Sequence, residues 1–169
     1  MDITKMKQLY EGLKTRAVIE VGVFEDSSSR KNSGGLTNAD LAMYHELGSP
    51  EHGLPARSML KIPLADHAKE IMAPFRDKAE AYLMKGTLLQ LYKLIGIAAE
   101  KIVLGAFATG GYGKWAPLKN ATIWRKLKGS MSKRVNQYWN IKAGNVGSGI
   151  LIDTGQLRRA FSSRVIMKI

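Results

Sequence analysis

The chain has 169 residues, with 26 Lys and Arg against 14 Asp and Glu for a net charge of +12, and 45% of its residues are hydrophobic. That length suits a single domain with its own core, and the apolar content excludes a disordered chain. The absence of cysteine excludes a disulfide framework, a thiolate nucleophile and any cysteine-ligated zinc or iron–sulfur site.

Residues 1–10 alternate polar and apolar side chains and lack the apolar run of a secretory leader. Ile3, Met6, Leu9, Tyr10 and Leu13 recur at helical spacing and predict a short amphipathic helix. Ala17, Ile19, Val21 and Val23 then alternate with their neighbours, which predicts a strand over 16–25. The polar stretch Asp26 to Gly35 has no periodicity and reads as a mobile surface loop.

Leu36 to Gly48 has the clearest local signals. Thr37 with Asp40 has the spacing of a capping box, and Gly48 followed by Pro50 marks the helix end. Leu54 to Pro63 should run extended and enter a helix near Leu64. Ala68, Ile71, Met72, Phe75, Ala79, Tyr82 and Leu83 form one helical stripe, interrupted or restarted at Pro74. Leu88, Leu91, Leu94, Ile95, Ala98, Ile102, Val103 and Ala106 form another. Lys93, Glu100 and Lys101 interrupt this last stretch, and each costs roughly 2.5–3.5 kcal/mol near a bilayer centre, so no membrane association is expected.

Thr109 to Lys114 is glycine-rich and reads as a flexible connector. A helix is expected over 121–128. Asp153 or Thr154 should cap a further helix to about Ser162, before a terminal strand. The expected fold is α+β: a small, mainly antiparallel sheet, with strands near 16–25 and 163–169, packed against long helices at about 64–85 and 88–108. The whole of 1–169 reads as one domain, with a basic, glycine-containing extension at about 129–150.

The charge is unevenly placed. Residues 1–100 hold 13 basic and 13 acidic side chains, whereas 101–169 hold 13 basic side chains and one carboxylate, Asp153. Trp115, Trp124 and Trp139 share that span with Tyr112 and Tyr138. Basic residues neutralise phosphate and aromatic rings stack on bases, so a nucleic-acid surface is one reading; core aromatics beside a solvated basic face is the plainer one. Lys126, Lys128, Lys133 and Arg134 are candidates for a basic surface that docks an acidic partner, with DNA as the secondary possibility.

No catalytic constellation stands out. Gly105 to Gly110 has the outer spacing of a phosphate-binding loop, but Gly111 and Tyr112 stand where Lys and Ser or Thr are required. His45, His52 and His67 lack the spacing of a helical zinc site, and no serine sits in a nucleophile elbow. No enzyme activity, cofactor or metal is expected.

Three stretches carry a resemblance: NADLAMYHELGSPEHGLPARSML at 38–60, WAPLKNATIWRKLKG at 115–129 and LIDTGQLRRAFSSRV at 151–165. In this order and spacing they resemble the tailed-bacteriophage virion-morphogenesis family of small tail-completion or minor tail proteins. The matching positions are His45, Glu46, Gly48, Pro55, Ala56, Arg57, Pro117, Leu118, Thr122, Asp153, Thr154, Gly155 and Leu157. The stretch 130–150 departs from the family by being longer and more basic. The resemblance implies a structural virion protein, made in the host cytoplasm and placed at the neck or tail. It also implies a ring of identical subunits that contacts neighbouring neck, tail-terminator or tail-tube proteins.

Residue chemistry adds two expectations. The Arg57 guanidinium can fork onto a carboxylate, with Glu46 a candidate partner. The segment 55–60 is expected beside a subunit contact, so that Arg57→Ala leaves a folded but assembly-defective protein.

Overall fold

The computed structural model of the chain describes residues 3–14, 16–30, 34–126, 150–151 and 155–168. Its architecture is α+β, with a two-stranded antiparallel sheet packed against helices. Helix α1 (Ile3–Lys14) leads into β1 (Arg16–Val23), which pairs with β2 (Phe161–Lys168). Arg16 lies opposite Lys168 and Val23 opposite Phe161. Pairing therefore begins at Phe161, inside the stretch expected to be helical, because Val23 and Gly22 supply a ladder for Phe161 and Ser162. On the face away from the helices, Arg164 Nε donates to Glu20 Oε2 across the pair at 2.8 Å.

The other face of the sheet rests on α7 (Leu88–Thr109), whose period places Leu91, Ile95, Ala99, Val103, Ala106 and Phe107 on one buried stripe. Gly96 lets this helix approach closely: a Cβ there would stand 3.1 Å from Ser163 Oγ and 3.3 Å from Ile19 Cγ2. One turn on, Ser163 Oγ donates to Glu100 at 3.3 Å.

The expected helix at 64–85 is three shorter ones: α4 (Lys61–Asp66), α5 (Ala68–Arg76) and α6 (Ala79–Met84). The first begins before Pro63, which sits in the opening turn where a missing N–H costs no internal bond. It stops where the His67 N–H and its Nδ1 both come within hydrogen-bond distance of Pro63 O, at 3.1 and 2.9 Å. Pro74 offers no N–H to the turn before it, and α5 ends two residues later. Ile71 of α5 packs with Leu91, Ile95 and Ala99 in one part of the core. Ala42, Met59, Val103, Phe107, Trp115, Leu157 and Phe161 make the other.

The loop expected at 26–35 begins with a helical turn, α2 (Glu25–Ser28). Polar bonds hold it in place of apolar burial: Ser27 Oγ donates to Ala160 O at 2.9 Å, and Asn38 Nδ2 donates to Ser27 O and Ser29 O, each at 3.1 Å. Helix α3 (Asn38–Leu47) carries the expected capping box, with Asp40 N–H on Thr37 Oγ1 and Thr37 N–H on Asp40 Oδ2, both at 3.0 Å. Among the described residues the remaining α-helices are α8 (Asn120–Lys126) and α9 (Gln156–Ala160). The expected caps Asp153 and Thr154 lie outside the described residues, and Gly155 stands at the N-cap. Of the extension at about 129–150, only Ile150 is described, and it is buried in the core. Among the described residues no helix is long and apolar enough to cross a membrane.

Candidate functional site

Helix α3 ends at Gly48, whose φ of 76° favours glycine and whose N–H donates to Tyr44 O at 2.8 Å. A Cβ at Gly48 would stand 2.7 Å from Ala56 N, so the returning chain passes against bare backbone. Two residues earlier, Glu46 is turned toward the start of α4. Its carboxylate accepts from Ser58 Oγ at 2.5 Å, Met59 N at 2.8 Å, and Leu60 N and Lys61 N at 3.0 Å each. A helix leaves its first N–H groups without internal partners, and α4 has no cap from its own Leu60, so a carboxylate supplied by α3 takes that role.

Arg57 therefore does not pair with Glu46. It is 6% exposed, and its fork reaches backbone carbonyls: Nε donates to Ala116 O at 3.1 Å and Nη2 to Pro117 O at 3.4 Å. Its own N–H donates to His45 O at 2.6 Å. Burial lowers its pKa from the usual arginine value, since water that would solvate the cation has been displaced. Met59 beside it is fully buried. Both side chains face the interior of their own subunit, where Arg57 ties residues 55–58 to 115–117.

Trp115 completes the tie. Its indole N–H donates to Ser58 O at 2.8 Å, and its ring meets Phe107 edge-on at 5.9 Å between centroids. One glycine before it serves this packing. A Cβ at Gly111 would collide with the Trp115 indole, and Gly111 has a φ of +69°. The segment read as a flexible connector is a turn closed by Gly111 N–H on Ala106 O at 2.7 Å and Trp115 N–H on Gly110 O at 3.0 Å. Tyr112 Oη donates to Ile102 O at 3.0 Å, and burial, reinforced by the Glu70 charge, raises its pKa above the ordinary phenol value.

The three motif stretches meet around one cleft of about 580 Å³. His45, Pro55 and Arg57 come from the first, Pro117, Leu118 and Thr122 from the second, and Gly155 and Leu157 from the third. Glu46, Gly48 and Ala56 lie outside the lining. Asp153, Thr154, Lys128, Lys133 and Arg134 fall outside the described residues, and Lys126 is placed only as the last residue of α8.

Three polar lining residues, Arg30, Lys119 and Gln156, are not singled out as site residues by the sequence, and His52 is weighed there only as a metal ligand. Lys119 and His52 lie inside motif stretches and could have been found there. Arg30 lies in the polar loop, which carried no signal. The three tryptophans divide: Trp115 is core, Trp124 is 43% exposed on α8, and Trp139 falls outside the described residues. Among the described residues no group of three or more His, Cys, Asp or Glu is placed to hold a metal.

No family model, curated protein or solved structure compared with the chain matches it.

Proposed function

We propose that the chain is a structural protein of a tailed-phage or prophage virion, acting in tail completion and head–tail joining as one subunit of a ring at the neck. The observation that carries this reading is the meeting of the three motif stretches around one cleft, the first two tied to each other through Arg57 and Trp115 and the third packed into the same core through Leu157 and Phe161. Segments that resemble the family separately also form one structural unit here. Their polar groups are engaged in holding the fold: Glu46 caps α4, Arg57 bridges to 116–117, and Gly48 admits the returning backbone. Surface for neighbours is available on α1, where Ile3 is 71% and Met6 53% exposed, an apolar display that suits subunit contacts.

Removing the coding sequence from the phage or prophage tests the reading. Electron micrographs of the lysate are expected to show filled heads and separate tails in place of joined particles. Normal particles at normal yield would refute it.

DNA binding is the second reading, and the exposed Trp124 ring, followed in the sequence by Arg125 and Lys126, favours it. A salt titration separates the two. Binding through phosphates falls steeply with salt in proportion to the contacts made, whereas a protein-only subunit shows no retained duplex.

A further inference from the structure

The cleft combines two surfaces of different chemistry. Leu54, Leu118 and Leu157 give it an aliphatic floor. Arg30, His52 and Lys119 give it a basic rim, and no carboxylate occurs among the described lining residues. Lys119 is exposed, makes no ion pair with a described carboxylate, and holds its ammonium 3.9 Å from where a Cβ at Gly53 would stand.

We infer that this cleft docks a short acidic peptide segment of a protein partner, with an aliphatic side chain on the leucine floor and flanking carboxylates facing Arg30, His52 and Lys119. Charge complementarity selects an acidic occupant, and the floor selects a peptide over nucleic acid. Phe, Tyr and Trp do not occur among the described lining residues, whose only rings besides proline are the imidazoles of His45 and His52, so bases would find little stacking surface, and the nearby Trp115 indole N–H is bound to Ser58 O. The volume of about 580 Å³ lies within the range of roughly 300–1,000 Å³ typical of ligand sites. This inference depends on the cleft alone and stands whether or not the chain belongs to a virion.

Fluorescence anisotropy of the full chain with a labelled Asp-Glu-Leu-Glu-Asp peptide tests it. The Asn-Gln-Leu-Gln-Asn and Asp-Glu-Gly-Glu-Asp peptides are each expected to bind at least about threefold more weakly, the first by losing charge and the second by losing aliphatic burial. Lys119→Glu, with an unchanged circular dichroism spectrum, should weaken the acidic peptide about three- to tenfold, whereas Lys101→Glu, an exposed α7 position away from the cleft, should change it by less than about twofold. Equal binding of the charged and amide peptides, equal losses in the two lysine variants, or no measurable binding would overturn the proposal. So would displacement of the peptide by oligo-dT at lower concentration than by unlabelled peptide, because the cleft would then be a phosphate site.

Discussion

The Glu46 carboxylate holds Met59 by its backbone N–H at 2.8 Å, a contact that links the end of α3 to the approach to α4 across 13 residues. Leu60 and Lys61 donate to the same group, so one side chain satisfies three backbone donors that α4 cannot satisfy itself.

Replacing Glu46 with Ala is therefore expected to destabilise the protein by about 2–4 kcal/mol, because hydrogen bonds to a charged group contribute roughly 1.5–3 kcal/mol each and part of the loss is recovered by water. Glu46→Gln keeps an acceptor oxygen and should lose less. Urea denaturation of both variants checks the order, and equal stability of wild type and Glu46→Ala would contradict the capping role.

Arg57 is the corresponding tie to the second motif stretch. Arg57→Met leaves the Ala116 and Pro117 carbonyls without their donors, and a loss of about 2–4 kcal/mol follows from unsatisfied buried acceptors. Arg57→Lys retains charge but not the fork, and should fall between the two. A variant as stable as wild type yet defective only in assembly would favour the surface role expected from sequence.

Gly111 faces two constraints, a positive φ of +69° and the indole of Trp115. Gly111→Ala should cost at least about 2 kcal/mol, from roughly 1–2 kcal/mol of left-handed backbone strain together with displacement of a buried ring. The tryptophan emission of the folded variant is expected to shift to longer wavelength. Unchanged emission and stability would show that the turn tolerates a side chain.

Asp40 sets a pH dependence through the capping box. Its side-chain bond with Thr37, and then the bond from the Thr37 backbone, lower its pKa from the ordinary 3.8. A lowered folded value means that this contribution is fully present above the ordinary value and is lost as pH falls through the folded one. In Thr37→Ala the Asp40 midpoint, followed by carboxyl-carbon NMR, should move upward. No movement would remove the side-chain bond as the cause.

The parts of the fold legible in sequence were those decided by near neighbours. Thr37 and Asp40 are three residues apart, and the alternation of Ala17 to Val23 and the stripe of α7 each declare one buried face. What escaped was decided at a distance. The start of α4 depends on Glu46, and the start of β2 depends on Val23 standing opposite Phe161. Arg57 was recognised as a group that needs a partner. Its acceptors are main-chain carbonyls, which every residue possesses and no sequence pattern distinguishes. The cleft was half visible: its motif residues were named singly, while its union with Arg30 and Lys119 exists only once the chain has folded.

Quantitative mass spectrometry of purified particles tests the proposed place in the virion most directly. Particles would be prepared from the phage or induced prophage encoding this chain, and separated into complete virions and tailless heads. The chain is expected in complete virions at a low, fixed copy number consistent with one ring. Its absence from complete virions, with the protein abundant in the lysate, would contradict the structural role.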